Sequence, residues 1–181
     1  MDTFLSFIVA AVLAATPLLF GTLGEILTEK GGHLNLGVEG MMFMGGVAGL
    51  AGTYYYEKAC GGEPNALVSV VIGIICAFLC AMFGAFIYSV LTITFRANQN
   101  VTGLALTTLG IGLGNFLGAS LINITKSELP SIALTKTSSF FAAKLPFADK
   151  LGWFGDLFLS HDFLTYFAII ISIVVEVTVP Y

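Results

Sequence analysis

Long apolar runs broken by compact polar segments set the pattern of this chain, and the runs fall into five predicted spans. A bilayer crossing needs about 20 predominantly apolar residues. The first run, residues 3–27, meets that length with Pro17 inside it. In a membrane helix such a proline is tolerated, because neighbouring groups satisfy the carbonyl it frees. The second run, 36–56, closes on Tyr54, Tyr55 and Tyr56, an aromatic girdle of the kind found at a membrane–water boundary. The third run, 66–95, is longer than a flat crossing requires, which predicts tilt or emergence from the bilayer. The fourth covers 101–122 and the fifth 163–179. Residues 123–162 form the long hydrophilic connection, in which Leu145 to Leu159 reads as a segment lying along the membrane surface. The Asn123-Ile124-Thr125 sequon there is read as accidental.

Composition narrows the class. The chain is 57% hydrophobic and 10% charged, where soluble domains carry roughly 25% charge. No single aqueous core could hide that much apolar surface, so the expected fold is all-α and polytopic, a multi-pass membrane protein with the lipid bilayer as its solvent. A net charge of −4 with no basic stripe argues against nucleic acid as a partner. Cys76 and Cys80 lie one helical turn apart with no histidine or carboxylate beside them, so they read as small packing residues and not as metal ligands. No cofactor is expected.

The most informative stretch is Gly24 to Gly46, GEILTEKGGHLNLGVEGMMFMGG, between the first two runs. It packs Glu25, Glu29, Lys30, His33, Asn35 and Glu39 into fifteen positions and carries seven glycines. A Gly-rich polar break between membrane-length runs is where irregular backbone can face a water-filled path. Glu39 falls in the first turn of the second span, where the helix dipole favours a carboxylate. Its expected role is to hold the Gly-rich loop onto the helix start, with contact to a transported solute as the alternative. Arg96 to Asn100 is a second polar break, and Asn115 is a polar group inside the fourth span that must find a partner or an aqueous path. We therefore expect Asn35, Glu39, Asn100 and Asn115 at a translocation path or its gate. Gly37 and Gly40 in the motif loop, and Gly110, Gly114 and Gly118 along the fourth span, are expected to serve helix packing. Gly73, Ala77, Ala81 and Ala85 form a similar small-residue stripe on the third span. The GIGLG string beginning at Gly110 is no dinucleotide loop, because no strand precedes it and no acidic residue follows at the required distance.

The string Thr16 to Gly46 resembles the N-terminal signature of permease subunits of bacterial ABC importers, in the branch that groups branched-chain amino acid, simple-sugar and nucleoside permeases. The resemblance rests on Gly24-Glu25, Gly31-Gly32 and Asn35-Leu36-Gly37-Val38-Glu39-Gly40-Met41-Met42. Arg96 to Thr102, RANQNVT, falls where that family has a second short polar motif. The resemblance implies a plasma-membrane permease subunit with no catalytic site of its own. Its implied partners are cytoplasmic ATPase subunits, a second permease subunit (identical or not) and an extracytoplasmic substrate-binding lipoprotein. The implied branch is the nucleoside and simple-sugar one. The family continues for several further spans and a cytoplasmic coupling loop, so residues 1–181 are expected to be the N-terminal part of a single transmembrane permease domain.

The implied mechanism is alternating access, with the small-residue faces of the third and fourth spans shifting against their neighbours. If the loops bearing Lys30 and Arg96 are cytoplasmic, then the N-terminus, the Lys58 loop and residues 123–162 lie outside. Two other readings predict different behaviour. A secondary transporter or channel component would work without ATP and would want an inverted repeat, of which the polar break at 98–103 is the only faint sign. A non-transporting membrane scaffold would carry its intramembrane polar groups by accident.

Overall fold

The computed structural model describes residues 3–61, 64–125, 137, 140, 155, 158, 159 and 161–179. Among the described residues there are five helices: α1 (Thr3–Lys30), α2 (Val38–Ala59), α3 (Ala66–Ser89), α4 (Gln99–Thr125) and α5 (Phe163–Thr178). A five-residue π-helical turn, Val90–Thr94, prolongs α3. There is no strand among the described residues. The fold is all-α, as the alternation of apolar runs and polar breaks predicts.

Among the described residues three segments are long and apolar enough to cross a membrane: Thr3–Lys30, Ala66–Thr94 and Gln99–Asn123. The helix Phe163–Thr178 is apolar but shorter. The outward side chains match this reading, with Phe78, Phe83 and Phe86 on α3 each more than 60% exposed. A water-facing surface does not carry so continuous an apolar face.

Element boundaries shift from those the pattern predicts. α1 runs three residues beyond Leu27, α2 occupies 38–59 and not 36–56, and α4 occupies 99–125 and not 101–122. The Asn123-Ile124-Thr125 sequon is therefore the end of α4 and not the start of the long connection. Polar residues at these ends extend the helices because their backbone groups are already satisfied within the turn, which apolarity alone does not register. Most of the connection, including nearly all of the segment Leu145 to Leu159, lies outside the described residues.

The chain divides into two compact units, Met1–Gly24 with Ser138–Tyr181 and Glu25–Thr137. In the first unit the hydroxyls of Thr16 and Thr165 lie 3.0 Å apart, and the rings of Phe20 and Phe167 are 6.3 Å apart. Thr16 also donates to the carbonyl of Val12, one residue before the proline that α1 accommodates. Asp162 caps α5 by accepting from the backbone N–H and the hydroxyl of Thr165, the usual service of an N-cap carboxylate.

In the second unit α2 is the central helix. Against α3 it presents Gly45, Gly49 and Gly52, where an added Cβ would lie 3.1 Å from the carbonyl of Ala77, 3.0 Å from that of Gly73 and 2.6 Å from the sulfur of Cys76. The small-residue stripe of the third span therefore has α2 as its partner, and its close approach trades side-chain volume for backbone contact. Cys76 sits in this seam as a packing group. At the far end of the same pair, Thr137 donates its hydroxyl to Glu57 at 2.5 Å and lies 2.6 Å from the hydroxyl of the fully buried Ser69.

Candidate functional site

The segment 33–36 joins α1 to α2 outside the helical hydrogen-bond pattern, so its backbone groups need partners from elsewhere. α1 stops first. The N–H of Gly32 donates to Glu29 and that of His33 to Thr28, with Gly32 at φ +82°. This is a Schellman closure, and its left-handed position favours glycine.

Beyond it, four helical side chains take over. Glu25 of α1 accepts from the Asn35 N–H at 2.9 Å. Gln99, the first residue of α4, accepts from the Leu34 N–H at 2.9 Å, and its NH2 lies 3.2 Å from Nδ1 of His33. Tyr88 of α3 donates its hydroxyl to the Leu34 carbonyl at 2.6 Å, and Thr107 of α4 donates to the Leu36 carbonyl at 2.6 Å. Asn35, 5% exposed, folds its own amide oxygen back to accept from Gly37 at 3.0 Å. The loop is thus irregular backbone paired by side chains, which is the condition for such backbone at membrane depth.

Apolar packing closes the same region. Met41, Tyr88 and Leu106 form its buried cluster, with Ile87 against them. Glycines bring α4 onto the loop and α2. A Cβ on Gly103 would lie 2.8 Å from the Leu36 nitrogen, and one on Gly40 would lie 2.6 Å from the Leu106 carbonyl. A Cβ on Gly110 would overlap the Gly40 carbonyl, and one on Gly114 would overlap the ring of Phe43. Gly37 is nearly as tight, 3.0 Å from the Asn35 amide oxygen. Gly118 differs, since nothing lies within 4 Å of its Cβ position.

The residues singled out from the sequence do not all gather here. Asn35 lies at the centre of the loop. Glu39 is exposed on the first turn of α2, and the loop-holding role expected of it belongs to Glu25. The reason is geometric: Glu25 stands on the helix that the loop leaves and reaches back along it, whereas Glu39 points away after the loop has ended. Asn100 is exposed next to Asn98, whose amide oxygen caps α4 by accepting from the Asn100 and Val101 N–H groups. Asn115 is exposed on the outer face of α4. Sequence reasoning missed Tyr88, Gln99 and Thr107 as partners of the loop. Gln99 had a signal, as part of the second polar break, but nothing in the sequence set Thr107 apart.

Helices long and apolar enough to cross a bilayer, with a Gly-rich loop paired by side chains after the first of them, define a multi-pass membrane protein. A family model described as the branched-chain amino acid transport system permease component matches residues 7–180, and the chain belongs to that family. Among curated relatives it is 38% identical over 123 residues to a putative glucose ABC transporter permease protein, TsgC13, of Haloferax volcanii, covering 68% of this chain and 34% of that one. It is 26% identical over 162 residues to the guanosine ABC transporter permease protein NupQ of Bacillus subtilis, covering 89% of this chain and 47% of that one. It is 32% identical over 116 residues to the nucleoside ABC transporter permease protein NupC of Lactococcus lactis, covering 62% and 34%. The chain spans between a third and a half of the length of these relatives. No solved structure matches it.

Proposed function

We propose that this chain is the N-terminal part of the membrane-spanning permease subunit of an ATP-driven importer, carrying a nucleoside or a simple sugar by alternating access. The reading is carried by one observation: the family match runs through nearly the whole chain, and within it sits an irregular loop whose Leu34, Asn35 and Leu36 are bonded by helical side chains. The names of the relatives support the two solute classes. In this reading residues 1–181 form one transmembrane permease domain, with the five described helices as spans and the chain between α4 and α5 as the extracytoplasmic connection. The subunit has no catalytic site. ATP is hydrolysed by separate cytoplasmic subunits, a second permease subunit completes the pore, and a binding lipoprotein delivers the solute.

Glu39, Asn100 and Asn115 expose their side chains, as groups facing a path or a neighbouring subunit must. Asn35 acts by shaping the loop. Gly37, Gly40, Gly110 and Gly114 supply the close seams along which α2 and α4 shift, and Gly118 is open for a neighbour.

The test is reconstitution of the full-length gene product in liposomes with the ATPase and binding protein encoded beside it, followed by uptake of a panel of nucleosides and sugars. ATP-dependent uptake of one solute class, reduced in Glu39→Gln at unchanged membrane abundance, is the expected result. Uptake driven by a proton or sodium gradient without ATP would replace this reading with the secondary-transporter one.

A further inference from the structure

We infer that Gln99 is a positioning residue whose single amide makes the grip of α4 on the α1–α2 loop depend on the charge of the His33 ring. The inference starts from donor and acceptor bookkeeping. The Leu34 N–H can only donate, so the end of the Gln99 amide that faces it at 2.9 Å is the oxygen. The NH2 end then faces Nδ1 of His33 at 3.2 Å. An imidazole nitrogen accepts only when it carries no proton, so this contact requires the ring's hydrogen to sit on Nε2 alone.

A second proton on the ring removes that acceptor. Nδ1–H and the Gln99 NH2 would then be two donors face to face. Turning the amide over offers its oxygen to His33, but it sets the NH2 against the Leu34 N–H. One amide has one acceptor end and cannot serve both partners. With the amide turned toward the charged ring, the Leu34 N–H loses its partner, and α4 releases the loop at its first residue. The bonds from Glu25, Tyr88 and Thr107 are untouched by this step.

The charged and titratable groups on the elements around the loop are Glu25, Glu29 and Lys30 at the end of α1, Glu39 at the start of α2, the Tyr88 phenol on α3 and Arg96 before α4. Glu25 and Tyr88 are bonded to loop backbone. Among the described residues the polar group bonded to the ring is Gln99. The identity of the carried solute does not enter the inference.

The experiment uses the full chain in lipid nanodiscs, labelled with 15N-histidine and followed by NMR and by amide hydrogen exchange. The His33 signal is assigned by its loss in His33→Asn. Three results are expected. Neutral His33 is the Nε2–H tautomer. The protection factor of the Leu34 amide falls on the order of tenfold over the pH range in which the His33 15N shift records the second proton, while that of Asn35 holds. In Gln99→Glu, whose carboxylate can accept from both partners, Leu34 stays protected across that range. An Nδ1–H tautomer in the wild type, which requires no variant to fold, would overturn the inference. So would constant Leu34 protection in the wild type, an equal fall in Gln99→Glu, or a fall shared by Asn35.

Discussion

At one end of α2 the chain turns on local bonds. The Cys60 N–H donates to Tyr56 and the Gly61 N–H to Lys58, Gly61 takes φ +64°, and Asn65 caps α3 by accepting from the Leu67 N–H at 3.0 Å. Each of these partners lies within four residues. At the other end, Leu34, Asn35 and Leu36 are bonded to side chains 10, 54, 65 and 71 positions away. The first turn is specified by its own sequence. The second exists only when α1, α3 and α4 are in place, so it reports on the arrangement of the helices.

That contrast can be broken most severely by forcing α4 away from α2. Gly110→Val places branched carbons where the Gly40 carbonyl sits and should cost about 3 kcal/mol or more, read as loss of monodisperse protein and of thermal stability in detergent. Gly118→Val, with open space at its Cβ, should change stability by no more than about 0.5 kcal/mol. Equal effects would dissolve the seam.

Next in size is Glu25→Ala, which leaves the Asn35 N–H without its acceptor and should cost about 1–3 kcal/mol. Glu25→Gln keeps an acceptor oxygen and should retain most of that stability in the same thermal assay. The smallest effect belongs to the local turn. Asn65→Ala removes a cap worth about 1 kcal/mol, and limited proteolysis should show looser cleavage near residue 65 while the α1–α2 loop stays protected.

Much of this was legible in the sequence, for identifiable reasons. The helices follow from apolar runs too long for anything else, and the α2–α3 seam from the four-residue spacing of Gly73, Ala77 and Ala81, which needs no knowledge of the partner. The polar break at Gly31–Gly37 was visible as the place where charge and glycine concentrate. Its clasp was not. Glu25 and Glu39 are equally prominent in the sequence, and only the direction in which each helix carries its carboxylate separates them. Thr107 sits in an apolar helix where its hydroxyl can equally bond its own preceding turn, as Thr92 does to the Tyr88 carbonyl, and Tyr88 reads as one more aromatic of an apolar run. Long-range pairing of single hydroxyls leaves no periodic mark.

The most direct test of the clasp is residue-resolved hydrogen exchange of the full chain in a lipid bilayer, comparing the Asn35 and Gly37 amides with that of Gly61. Asn35 and Gly37 should exchange on the timescale of α2 itself, slower than Gly61 by orders of magnitude, and Asn35 should lose that protection in Glu25→Ala. Rapid exchange of Asn35 and Gly37 in the unaltered protein, matching Gly61, would contradict a loop held by the helices around it.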